Sequence, residues 1–143
     1  MAKVKVLQMH VDLPLPKYQT MLSAGMDVYS AIDVLLKKGE IELVPTGLKI
    51  ALPEGFELHI RPRSGLALKY GISLPNTPAT IDADFRGELK VIMINHGKED
   101  FVIKRGDRIA QIVLNKFEQI EWEIVEELDK TTRGEGSFGS TGV

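Results

Sequence analysis

An alternation of period two runs through most of this sequence. Phe56, Leu58 and Ile60 alternate with Glu57, His59 and Arg61. Leu48, Ile50 and Leu52 alternate with Lys49 and Ala51, and Ile120, Trp122 and Ile124 with Glu121 and Glu123. Side chains of an extended chain point to opposite faces in turn, so each stretch reads as a half-buried strand. Residues 89–95 and 108–114 are nearly continuous in Val, Ile, Leu and Met, the pattern of strands covered on both faces. Turn signals recur at short intervals: Lys38-Gly39, Pro45-Thr46-Gly47, Pro53-Glu54-Gly55, His96-Gly97-Lys98 and Arg105-Gly106-Asp107. Many short strands so punctuated predict an all-β sandwich or barrel. One helix is expected over residues 64–70, with Ser64 as N-cap and Gly71 at C′.

With 143 residues the chain suits one domain with a real core. No repeat or interdomain linker interrupts it, and its character changes only after about Asp129. A net charge of −2 argues against bulk binding to nucleic acid. The absence of cysteine removes disulfides, thiolate metal sites and thiol nucleophiles. No stretch has the length and apolarity of a membrane span, and residues 1–6 alternate at once rather than opening a secretory segment. A soluble, cytoplasmic protein is expected. His10, His59 and His96 lack metal-ligand spacing, and His59 is expected to face outward.

Polar groups gather in five segments. In Ala24-Gly25-Met26-Asp27, small residues allow close backbone approach, and Asp27 either bonds its own turn or accepts from metal-bound water. In Arg61-Pro62-Arg63-Ser64-Gly65-Leu66, free N–H groups of Gly65 and Leu66 would sit beside the Ser64 hydroxyl and Arg63 as an anion site; an ordinary capped turn reads as well. Between Asn76 and Leu89, Asp82 and Asp84 share strand parity. One can serve as general base on water and the other in an ion pair, with Arg86 as a partner, while the Asn76 amide has both donor and acceptor for a base edge. In Gly106-Asp107-Arg108-Ile109-Ala110-Gln111, Gln111 is a polar insertion in an apolar strand, and its amide needs partners. The fifth segment, residues 133–143, combines Arg133, four glycines, hydroxyls and the lone aromatic Phe138. It reads as a clamp for a phosphorylated ligand carrying a flat ring, or as an ordinary flexible end.

In order and spacing the five segments resemble the five motifs of the trimeric dUTPase family, and the resemblance covers essentially the whole chain. It implies a β jelly roll, a sandwich or distorted barrel with one short helix, assembled as a homotrimer. Residues 1–128 would be the catalytic domain and residues 129–143 a closing tail. The implied activity is Mg²⁺-dependent hydrolysis of dUTP to dUMP and pyrophosphate, which limits uracil in DNA and supplies dUMP for thymidylate synthesis. Each site would be shared, with the third segment from one subunit, the first, second and fourth from a neighbour, and the tail from a further subunit. Asp82 would activate the attacking water, and Asp27 would hold Mg²⁺ through water. Arg63, Ser64, Gly65 and Gln111 would bind phosphates. Asn76 and Ile81 belong to the uracil hairpin, and Phe85 would lie beneath the deoxyribose. From the tail, Arg133, Gly139, Ser140 and Thr141 would close on the terminal phosphates and Phe138 would stack over uracil. The tail is expected to be mobile without nucleotide.

The chain departs from the family's pattern at Phe85, usually Tyr, and at Ala79 and Ser137, commonly Gly. None removes a catalytic group, and sugar discrimination is the property they touch. A dCTP deaminase-like or bifunctional relative shares the Arg-Ser motif, but the deaminases look for a catalytic Glu where Arg86 stands. A non-catalytic jelly-roll module would typically have lost Asp82, Arg63, Arg133 or Phe138, all present here.

Overall fold

A computed structural model describes residues 1–142; Val143, the end of the predicted tail, lies outside the described residues. Ten strands and one helix follow one another: β1 Lys5–Gln8, β2 Gly25–Tyr29, β3 Val34–Leu36, β4 Ile41–Ala51, β5 Phe56–Arg61, α1 Ser64–Tyr70, β6 Ile72–Ser73, β7 Ala79–Ile81, β8 Glu88–Asn95, β9 Phe101–Ile103 and β10 Arg108–Lys116. They form two four-stranded sheets, β1-β4-β8-β6 and β2-β10-β5-β7, and a two-stranded ribbon, β3-β9. All pairings are antiparallel. Neither sheet closes on itself, so of sandwich and barrel it is the sandwich that forms.

The alternation explains the layers. Leu58 and Ile60 point inward from β5, Val91 and Met93 from β8, and Ile112 from β10, meeting Val28 and Val44 in one buried core. Burial of these side chains, at about 25 cal/mol per Å² of apolar surface, is the main force holding the sheets together. Residues 89–95 are not covered on both faces. Lys90 is exposed, and Ile92 and Ile94 are only half-buried on the outer side.

Two local expectations are corrected. Ser64 is not the N-cap; Arg63 holds that position with extended backbone (φ −89°, ψ 128°), without a side-chain cap, because a guanidinium has no acceptor to offer a backbone N–H. At the other end Gly71 does adopt the left-handed conformation, φ 69°, and its N–H closes on the Ala67 carbonyl. The stretch around Ile120, Trp122 and Ile124 forms no strand, and residues 116–142 are exposed throughout. Alternation prepares a strand, but a ladder partner must complete it, and no strand of the described chain offers one.

Candidate functional site

Three of the five segments converge at one end of the second sheet. β10 pairs with β2 and with β5, so Asp27, Gln111 and Arg61 lie side by side in one row across three strands. Arg63 follows β5 directly. Its Nε lies 3.3 Å from Asp27 Oδ1, and its terminal nitrogen donates to the Arg108 carbonyl at 3.2 Å. Arg108 stands 3.8 Å from the other Asp27 oxygen. Asp27 therefore does not bond its own turn; it aligns a cationic pair drawn from two other segments.

Gln111 donates to the Pro62 carbonyl at 2.9 Å, which answers the need of that half-buried amide. Its Oε1 lies over Gly25, where an added Cβ would stand only 2.6 Å away. That close approach gives Gly25 a reason beyond backbone freedom. Ser64 and Gly65 open α1 just beyond, both exposed, and nothing stands within 4 Å of a Cβ built at Gly65. The cluster thus presents two guanidiniums, a hydroxyl and open backbone toward solvent, with one carboxylate set among them. This arrangement suits a polyanion. Arg108 and Gly25 belong to the cluster as well, through strand pairing that the sequence of their segments does not reveal.

The third segment stands apart. Asn76 is exposed in the turn after β6, where Thr77 N–H donates to the Leu74 carbonyl. Ile81 ends β7, opposite Leu58, and is half-buried. Asp82 does not continue the strand; its carbonyl accepts from Phe85 N–H at 3.2 Å, making a tight turn in which Asp82, Asp84 and Phe85 are exposed. The parity argument for Asp82 and Asp84 fails on that turn. Arg86 pairs with neither carboxylate and donates instead to the Ala83 and Phe85 carbonyls, at 2.6 and 3.0 Å. The Phe85 ring folds over Gly87, where a Cβ would come within 2.5 Å of it. By strand spacing, Asp82 lies about 13 Å along the sheet from the row of Asp27 and about 14 Å across it. One chain does not bring the two groups together.

The tail stays with itself. Arg133 Nε donates to the Gly136 carbonyl at 2.8 Å, and Ser140 N–H to Ser137 at 2.8 Å. Every hydrogen bond of residues 131–142 closes within that segment. Phe138, Gly139, Ser140 and Thr141 are exposed, with Phe138 wholly so. His59, expected outward, does face outward but is pinned between Glu57 and Arg61.

Among the described residues no three His, Cys, Asp or Glu side chains gather as a metal cage. A lone carboxylate at Asp27 matches a hard cation held chiefly by ligand oxygens and water. Among the described residues no helix is long and apolar enough to cross a membrane.

Comparison with known proteins identifies the family. The dUTPase family model matches residues 12–142. The deoxyuridine 5'-triphosphate nucleotidohydrolase of Rickettsia felis is 60% identical over 143 residues, covering 99% of this chain and 96% of that protein. The Staphylococcus bacteriophage 80alpha dUTPase, solved with dUPNHPP, superposes with a TM-score of 0.90 at 25% identity, over 99% of each chain. A variant dUTPase of S. aureus phage phi11, described for its coordination of a structural Mg(II) ion, shares the fold at TM-score 0.81 and 23% identity, over 90% of this chain and 99% of that one. This chain belongs to the dUTPase family.

Proposed function

We propose that the protein hydrolyses dUTP to dUMP and pyrophosphate in sites shared between the subunits of a homotrimer. The observation that carries this reading is the division of the site. Phosphate-binding chemistry gathers around Asp27, Arg63 and Gln111, while Asp82, Asn76 and Phe85 stand exposed on the far edge of the same sheet. Neither half suffices alone, and a neighbouring copy supplies the other.

Asp82 orients a water molecule toward the α-phosphorus and takes its proton as the new P–O bond forms. The bond from the α-phosphorus to the bridging oxygen breaks, and pyrophosphate leaves with the electron pair. Arg63, the Ser64 hydroxyl, the Gly65 N–H and Gln111 grip the phosphates and oppose the charge that grows on the leaving group. Asp27 keeps Arg63 in place and is the residue that would hold a Mg²⁺, through water. That cation, when bound, screens the triphosphate and stabilises the leaving pyrophosphate. Residues 1–128 act as the catalytic domain. The tail from 129 closes over the site, with Phe138 on uracil and Arg133, Gly139, Ser140 and Thr141 at the phosphates. To do so Arg133 must exchange its bond to Gly136 for one to phosphate. The Asn76 turn and Ile81 frame uracil, and Phe85 lies under the sugar without the hydroxyl of a Tyr.

Pyrophosphate release from dUTP, UTP, dTTP and dCTP with Mg²⁺, in the wild type and in Asp82→Asn, tests the proposal. Rapid turnover of dUTP alone is expected, falling by at least about 100-fold in the variant. Full activity in Asp82→Asn would overturn the assignment of the base. Ammonia release from dCTP would overturn the reaction itself.

A further inference from the structure

Along the outer face of β5, Glu57, His59 and Arg61 form a chain of contacts that the hydrolytic scheme leaves unused. Glu57 Oε1 lies 2.8 Å from His59 Nε2, and His59 Nδ1 lies 3.0 Å from a terminal nitrogen of Arg61. The partners dictate the tautomer. A carboxylate accepts, so Nε2 carries the hydrogen; a guanidinium only donates, so Nδ1 must offer its lone pair. Only the neutral imidazole satisfies both.

Arg61 has no alternative support. Its Nε is buried and has no partner among the described residues, so the bond to His59 fixes the guanidinium. Arg61 also stands opposite Gln111 and leads directly into the turn whose Pro62 carbonyl takes the Gln111 amide and whose Arg63 meets Asp27. Among the described residues, those paired with His59 across the sheet carry no charge. Across the sheet it faces Val113 on β10, flanked by Gln111 and Asn115, and Thr80 on β7; Asp82 follows two residues beyond Thr80. His59 and Glu57 are about four-fifths covered, with side-chain exposures of 18% and 21%.

We propose that Glu57, His59 and Arg61 are positioning residues that hold the phosphate-side turn in register only while His59 is neutral. Protonation places a hydrogen on Nδ1, sets donor against donor and cation against cation, and releases Arg61. Glu57 accepts from Nε2 in either protonation state, so the change lies at Nδ1 alone. The geometry is independent of the substrate; the effect on turnover rests on the dUTPase reading.

The test follows kcat and KM for dUTP from about pH 5 to 8, where imidazole titrates, in the wild type, His59→Gln and Glu57→Gln. The terminal phosphate of the substrate titrates in the same range and is common to all three, so it cancels in ratios. On acidification, kcat/KM of the wild type should fall relative to His59→Gln by about ten- to a hundredfold, the worth of one hydrogen bond to a charged group, with the change in KM. Glu57→Gln keeps an acceptor for Nε2–H and should retain the fall. A ratio that does not change with pH overturns the proposal.

A second readout needs no turnover. Nitrogen-15 NMR of the full chain should show His59 with Nδ1 unprotonated near pH 8, and the Arg61 Nε–H signal should shift as His59 titrates. A proton on Nδ1, or an Arg61 signal indifferent to that titration, also overturns it. Absent dUTP hydrolysis at pH 8 would defeat the dUTPase reading and leave this readout decisive.

Discussion

At the scale of single residues, polar groups placed where apolar ones would be expected do the most. Asn95 closes an apolar run and is fully buried. Its amide donates to the carbonyls of Leu36 and Glu99, at 3.0 and 2.8 Å, and its oxygen accepts from Gly97 N–H at 2.8 Å. The side chain thus ties β8 to β3 and to the turn before β9. Asn95→Ala leaves three backbone groups without that partner and should cost about 2–4 kcal/mol, measured by urea unfolding at matched protein concentration. A loss below about 0.5 kcal/mol would show that water or backbone shifts replace it. Nothing in the sequence marks Asn95, because a polar residue at the end of a strand is usually at the surface. Gln111 was visible because it interrupts an apolar run in the middle, where an amide must find partners. The Asp27–Arg63 pair was not, because only strand pairing brings residues so distant in sequence together.

Elements were legible where local chemistry decides them. The alternation of β5 and the Gly71 terminus of α1 follow from side-chain parity and from the freedom of glycine at positive φ. Ser64 as N-cap was misread by one residue, because helical backbone begins at Ser64 itself and Arg63 is the extended residue before it. The arm at 120–124 was misread because alternation describes a strand's faces and says nothing of its neighbours. Between elements, the loop after β1 is fastened to the β9–β10 turn. Arg105 makes a bidentate pair with Asp12, at 2.6 and 3.0 Å, while its backbone N–H donates to Asp33 at 2.7 Å. The hydrogen bond from Arg105 holds the Asp12 carboxyl below its usual value of 3.8, and the same bond raises the Arg105 guanidinium. A depressed acid stabilises the fold above its unfolded value and loses that contribution as pH falls through the folded one. Protection factors in residues 9–16, which divide out the intrinsic pH dependence of amide exchange, should therefore be unchanged from neutral pH to about pH 4 and fall below it. Arg105→Gln should abolish that acid step. Since both side chains are well exposed, water and salt screen the pair, and a change in global stability is not expected.

For the whole molecule, the sandwich and the order of its chemical segments could be anticipated, but not their distribution in space. A single chain divides its polar groups between two distant places and leaves Phe138 and the apolar residues of the arm uncovered. A chain ending at residue 132 should keep its sheets, since residues 131–142 bond only within themselves. Its dUTP turnover should drop by at least about tenfold, because ordering the tail on the ligand is what completes the site. Circular dichroism and pyrophosphate release, measured on one preparation, separate the two. Unfolding of the shortened chain, or full turnover by it, would each contradict this account.

The sixteen residues between Lys116 and Arg133 act as a leash. Fully extended they span about 50 Å, and as a flexible coil they average roughly 22 Å, comparable with the distance between the two halves of the site. A lid on such a leash is a tethered ligand, present at its target at an effective concentration in the millimolar range. Its individual contacts need only be weak, and it can release product without a separate opening device. A free peptide of residues 133–142 should then restore the shortened enzyme only at millimolar concentrations.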